Sequence, residues 1–90
     1  APLLLSPERI YYEDDAPDEE KVRALIRAME RGESLPLAEV CECDGEFRLI
    51  GGAESVLAYV LGEEDFLPAR LVPMPSDTAK KTYVRMKDSL

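Results

Sequence analysis

Apolar residues in this chain come in short runs, and each run has a period that names an element. Leu3, Leu4 and Leu5 predict a short strand, Ser6-Pro7-Glu8 a turn, and Ile10-Tyr11-Tyr12 a second extended piece. Glu13, Asp14, Asp15 and Pro17 then mark a loop. Asp18 has the chemistry of an N-cap, with Glu19 and Glu20 in the first turn, where the positive end of the helix dipole favours carboxylates. In the helix that follows, Val22, Leu25, Ile26 and Met29 fall at i, i+3, i+4 and i+7, and Lys21, Arg23, Arg27 and Glu30 occupy the other faces. Gly32 is its natural stop.

After the connector Ser34-Leu35-Pro36, the run Leu37 to Cys43 reads as a strand and Glu46 to Ile50 as its hairpin mate. Asp44-Gly45 between them suits a tight turn because Gly takes positive φ without steric cost. From Ala53 to Leu61 the positions Val56, Leu57, Tyr59, Val60 and Leu61 nearly surround a short helix that Gly62 ends, so this helix is expected to be largely buried. Phe66 to Val72 predicts another strand, broken by Pro73-Met74-Pro75. Ser76 and Asp77 could cap a last helix carrying Ala79, Tyr83, Val84, Met86 and Leu90. The order strand, helix, hairpin, helix, strand, helix describes a small α+β domain with about three helices.

Ninety residues fit one domain, residues 1–90, whose core needs most of its apolar side chains. No apolar run approaches the roughly 20 residues of a membrane helix, so no membrane is expected. Eleven Lys and Arg against nineteen Asp and Glu leave a net charge of −8. That balance repels phosphate backbones and argues against direct nucleic-acid binding, with Arg70, Lys80, Lys81, Arg85 and Lys87 as a local basic exception in the last third. Leu3-Leu4-Leu5 without a basic flank is too short for a secretory signal, which places the chain, beginning at Ala1, in the cytoplasm.

Cys41 and Cys43 sit at i and i+2 on a strand, so both point to one face. Their Cα atoms would be about 6.6 Å apart with parallel side-chain vectors, which favours two buried thiols over a bridge. With no His and no other Cys, the pair is short of a zinc set.

The densest candidate chemistry lies where Leu49-Ile50 runs into Gly51-Gly52 and then Ala53-Glu54-Ser55. A strand entering paired glycines and then a helix turns backbone N–H groups and the helix dipole toward an anion. Here Glu54 stands where that anion would sit. Together with Glu63, Glu64 and Asp65 it could instead hold a divalent cation, but acidic loops are usually just solvated, and the reading adopted is no metal and no cofactor.

Gly32 to Pro36, Asp44-Gly45, Gly51-Gly52, Ala58-Tyr59 and Leu67-Pro68-Ala69-Arg70-Leu71-Val72, in that order, resemble the ParB/sulfiredoxin fold family over nearly the whole chain. The resemblance implies an anion-holding turn that carries Gly-Gly-Cys-His-Arg in sulfiredoxins and a Gly followed by basic residues in ParB-like proteins. Here Gly51 and Gly52 keep the backbone while Ala53, Glu54 and Ser55 stand at the reactive positions. Ala53 offers no thiolate, the nucleophile of sulfinic acid repair, and Ser55 lacks the fork with which Arg binds phosphate. In the last helix Arg85 and Lys87 have no acidic-amide pair before them of the kind nucleotide-binding relatives carry.

The expected site is therefore the turn Gly51, Gly52, Ala53, Glu54 and Ser55, with Arg70 and Arg85 as candidate cations and no catalytic residue. The expected function is a noncatalytic module that binds or regulates a protein partner. One alternative is a ParB-type domain that binds a nucleotide or processes nucleic acid, as in plasmid partition. Another is an acidic mimic of nucleic acid, suggested by the carboxylates from Glu13 to Glu20.

Overall fold

Asp-Gly at a hairpin and Gly-Gly at a strand end set the frame of the computed structural model, which describes residues 2–14 and 16–89. The Asp15 part of the acidic loop, the start at Ala1 and the Leu90 position of the expected last helix lie outside the described residues. Six strands form one mixed sheet: β1 (Leu3–Leu5), β2 (Ile10–Tyr12), β3 (Ala38–Cys43), β4 (Glu46–Gly51), β5 (Leu67–Leu71) and β6 (Val84–Arg85). Their spatial order is β1-β5-β3-β4-β2-β6, with β2 parallel to β4, β3 parallel to β5, and the other pairs antiparallel. Helices α1 (Glu19–Glu30) and α2 (Ala53–Leu61) pack against each other.

Local chemistry accounts for most boundaries. Asp44 and Gly45 both take positive φ, 52° and 79°, the conformation whose twist suits a two-residue hairpin. The Asp18 side chain accepts from the N–H groups of Glu20 and Lys21, capping α1, and Gly32 follows the C-cap residue Arg31. Val22 on the α1 stripe is buried and Leu25, Ile26 and Met29 are half-buried, while Ser55 to Ala58 make α2 the more buried helix. The core joins Ile10, Val40, Leu49, Val56, Leu67 and Met86 on one face of the sheet.

The expected last helix does not form. Ser76 and Asp77 lead only into a 3-10 turn at Thr78–Lys80, and the Asp77 side chain makes no cap bond. Val84 and Arg85 then pair with Tyr12 and Tyr11 as β6, and a second 3-10 turn, Met86–Ser89, buries Met86 in the core. The apolar residues that suggested a helical stripe are spent on long-range contacts: Val84 and Met86 pack against the core, which outweighs a modest intrinsic helix propensity. Among the described residues there are thus two α-helices instead of about three.

The part of this C-terminal segment before β6, at Thr78 and Tyr83, meets Arg48 on the other face of the sheet. Cys41 and Cys43 are both buried and free, as their spacing predicts. Cys41 pairs in register with Arg48, whose side chain is only 12% exposed. The Arg48 guanidinium donates to the Thr78 carbonyl at 3.0 Å, pairs with Glu46 at 3.0 Å and lies 4.9 Å from the Tyr83 ring centroid. Burial pushes the Cys41 thiol up from its ordinary pKa, and the neighbouring Cys43 adds to the shift, against Arg48 and the Thr78 hydroxyl.

Two outcomes follow for stability. At Gly52 (φ 86°) a Cβ would lie 2.9 Å from the Ala38 Cα, whereas at Gly45 (φ 79°) it would meet nothing within 4 Å. Gly45→Ala is expected to cost the left-handed strain alone, about 1–2 kcal/mol, and Gly52→Ala at least about 1 kcal/mol more, measured by urea denaturation. Because the folded Cys41 pKa is raised, its contribution is complete below the unfolded thiol value and fades as pH rises through the folded one. Stability of the chain should therefore fall more steeply above about pH 8.5 than that of Cys41→Ala, whose curve lacks this component.

Candidate functional site

β4 reaches the turn with one residue to spare. Glu39 pairs with Gly51 and Val40 with Leu49, leaving Ile50 as a bulge that bends the strand where it meets the glycines. Gly52, in the left-handed conformation (φ 86°, ψ 31°), is the N-cap of α2, and its carbonyl accepts the first helical bond from the Val56 N–H at 3.1 Å. Having no side chain, it cannot cap the first-turn N–H groups, the groups a helix start offers to an anion.

Glu54 brings a carboxylate to this corner. Its Oε2 accepts from the backbone N–H of Asp18, the N-cap of α1, at 3.3 Å. A residue in the first turn of one helix is thereby tied to the N-cap of the other, 36 positions away. One negative charge lies by the starts of both helices, where dipoles favour it.

A cleft of about 280 Å³ opens at the corner. Gly51, Gly52, Ala53 and Glu54 line it from one side, and Tyr12, Glu13 and Pro17 from the other. Four of the seven expected site residues are therefore together. Ser55 is 2% exposed and is not part of the cleft lining, so an Arg could not replace it without disturbing its buried surroundings. Arg70, on β5, forms an ion pair with Glu39, whose carboxylate in turn lies beside Gly51. Arg85 is outside the cleft lining, on the edge strand β6, paired with Asp88 at 2.9 Å. Its guanidinium pKa is raised, chiefly by the hydrogen bond to Asp88.

Glu13, not anticipated as a site residue, adds a second carboxylate to the cleft and pairs with Lys81 at 3.0 Å. The sequence offered only its place in the acidic loop as a signal. The hydrogen bonds that Lys81 donates to Glu13 and Asp77 raise its pKa. Glu63, Glu64 and Asp65 do not join Glu54: they line a separate depression with Pro7, Val60 and Lys87. Among the described residues no group of three or more His, Cys, Asp and Glu is placed to hold a metal ion. No described helix is long and apolar enough to cross a membrane.

No protein-family model matches the chain, and no curated protein matches it in sequence. Its structure is similar to that of sulfiredoxin from Arabidopsis thaliana, with a TM-score of 0.70 over 88% of this chain and 94% of that one, at 17% sequence identity. At that identity the likeness is one of fold, and the chain has the small α+β architecture of sulfiredoxin, with Gly51 and Gly52 leading from β4 into α2.

Proposed function

We propose that the chain is a noncatalytic module of the sulfiredoxin-like fold, a single domain that acts in the cytoplasm by binding or regulating a protein partner. One observation carries the reading: the glycine turn presents the Glu54 carboxylate, hydrogen-bonded to the Asp18 N–H, where an anion site would need a cationic side chain. Ala53, beside it, has no nucleophilic atom, and the two thiols of the chain are buried under the C-terminal segment rather than turned to the cleft. Two free thiols also suit a reducing compartment.

A nucleotide would have to enter a cleft lined by two carboxylates in a chain of net charge −8. Each close pair of like charges costs about 1 kcal/mol in water and about 4 kcal/mol at an effective dielectric of 20 for a 4 Å separation. A helix terminus returns about 0.3–1 kcal/mol per charge. Lys81 already pairs Glu13, so the repulsion that a phosphate meets at the turn comes from Glu54 and from the net charge of −8.

Melting temperature with ATP and with CTP, each with and without Mg²⁺, tests the reading, because anything that binds the native state raises it. The expected shift is under about 1 °C, and a rise of several degrees with either nucleotide would restore the nucleotide-binding alternative. Glu54→Gln keeps the shape and removes the charge. It should destabilise the fold by about 0.3–1 kcal/mol at low ionic strength, with the loss shrinking as salt is added. A variant as stable as the parent in dilute buffer would show that the carboxylate does not hold the corner.

A further inference from the structure

The two edges of the sheet differ in chemistry. β6 is two residues long and carries Arg85. β1 is Leu3-Leu4-Leu5, with no charged side chain, and among the described residues no strand lies beyond it. Soluble proteins usually guard an edge with charge, proline or a bulge, and β1, short and with Pro2 and Pro7 only outside its ends, has none of these within the strand.

Beside that edge lies an apolar stripe. Leu5 pairs with Leu67 on the core side, so Leu4 and its register partner Pro68 point to the opposite face. Leu4 is 70% exposed. Phe66, just before β5, continues the alternation on the Pro68 side and is 62% exposed. The C-terminal segment that shields Cys41 and Arg48 leaves these side chains open.

Charge selects what can cover the stripe. Glu63, Glu64 and Asp65 immediately precede Phe66 and so flank the end of the edge at which Leu5 pairs with Leu67. Lys87, which lines the same depression, is already paired with Glu8. A second copy would bring the same acidic loop and another net charge of −8, whereas a basic segment meets complementary charge.

We propose that the β1 edge is a docking site for an extended basic segment of another protein, which adds as a strand beside β1. Its apolar side chains cover Leu4, Pro68 and Phe66, and its cationic ones face Glu63, Glu64 and Asp65. Backbone pairing supplies attraction and the alternating side chains supply choice of partner. The inference rests on the interaction-module reading and names its surface.

A fluorescent peptide of alternating lysine and valine, titrated into the full chain and followed by anisotropy, tests it. Binding is expected to the plain peptide, to weaken as salt rises, and to be lost when alternate amides are N-methylated or when glutamate replaces lysine. Leu4→Lys and Glu64→Lys, at exposed positions with circular dichroism confirming the fold, should each weaken it about tenfold. No binding of the plain peptide, equal binding of the N-methylated one, or indifference to Leu4→Lys overturns the proposal. A dimer of the chain that Leu4→Lys dissociates overturns it in favour of self-pairing. Nucleotide-induced stabilisation would defeat the noncatalytic reading while leaving the peptide result standing, and peptide failure without a nucleotide shift defeats the edge alone.

Discussion

Everything at the candidate site depends on how closely the Gly52 backbone lies on Ala38. A Cβ at Gly52 would stand 2.9 Å from the Ala38 Cα, closer than such atoms approach, so the strand-to-helix corner exists only because that atom is missing. The bulge at Ile50 bends β4 toward this contact, and the left-handed turn at Gly52 starts α2 against β3. With α2 set there, Val56 and Ala58 are fully buried, and its first turn comes within reach of the N-cap of α1. Fold and site share one constraint, which is why a substitution here would alter both.

The corner carries its own negative charge. A helix start without a capping side chain has N–H groups and a dipole that attract such charge, and Glu54 lies in the first turn of α2 while bonding the Asp18 N–H before α1. The bond to Asp18 is partly exposed and modest in energy, so it cannot be what holds the fold together. Glu54 adds a negative charge to the cleft, where the second carboxylate, Glu13, is paired with Lys81 at 3.0 Å.

Legibility along the sequence followed the range of the forces involved. The Asp44-Gly45 hairpin, the Asp18 cap, the α1 stripe and the span of α2 are set by residues within a few positions of each other, and all were readable. The C-terminal helix was not, because Val84 and Met86 are drawn to partners more than seventy residues earlier in the chain, among them Tyr12 and the core around Ile10. In the site, Gly51 to Glu54 were readable from the glycine turn, but the partner of Glu54 is on another helix. The burial of Ser55 and the distance of Arg85 from the cleft depend on how α2 and β6 pack, which no local pattern encodes.

The excess of acidic residues acts on partners more than on the fold. Pairs such as Arg23 with Glu19 or Arg85 with Asp88 are exposed on both sides, where an ion pair is worth at most about 1 kcal/mol. Arg48 is different: 12% exposed, it is held by Glu46, the Thr78 carbonyl and the Tyr83 ring, so its charge is committed to fastening the C-terminal segment over Cys41. The cations Arg48, Lys81, Arg85 and Lys87 are each paired within the chain, while Glu63, Glu64 and Asp65 gather beside exposed Phe66. With nineteen carboxylates against eleven cations, several of them committed to ion pairs within the chain, the long-range field is negative, which repels polyanions and attracts cations in general.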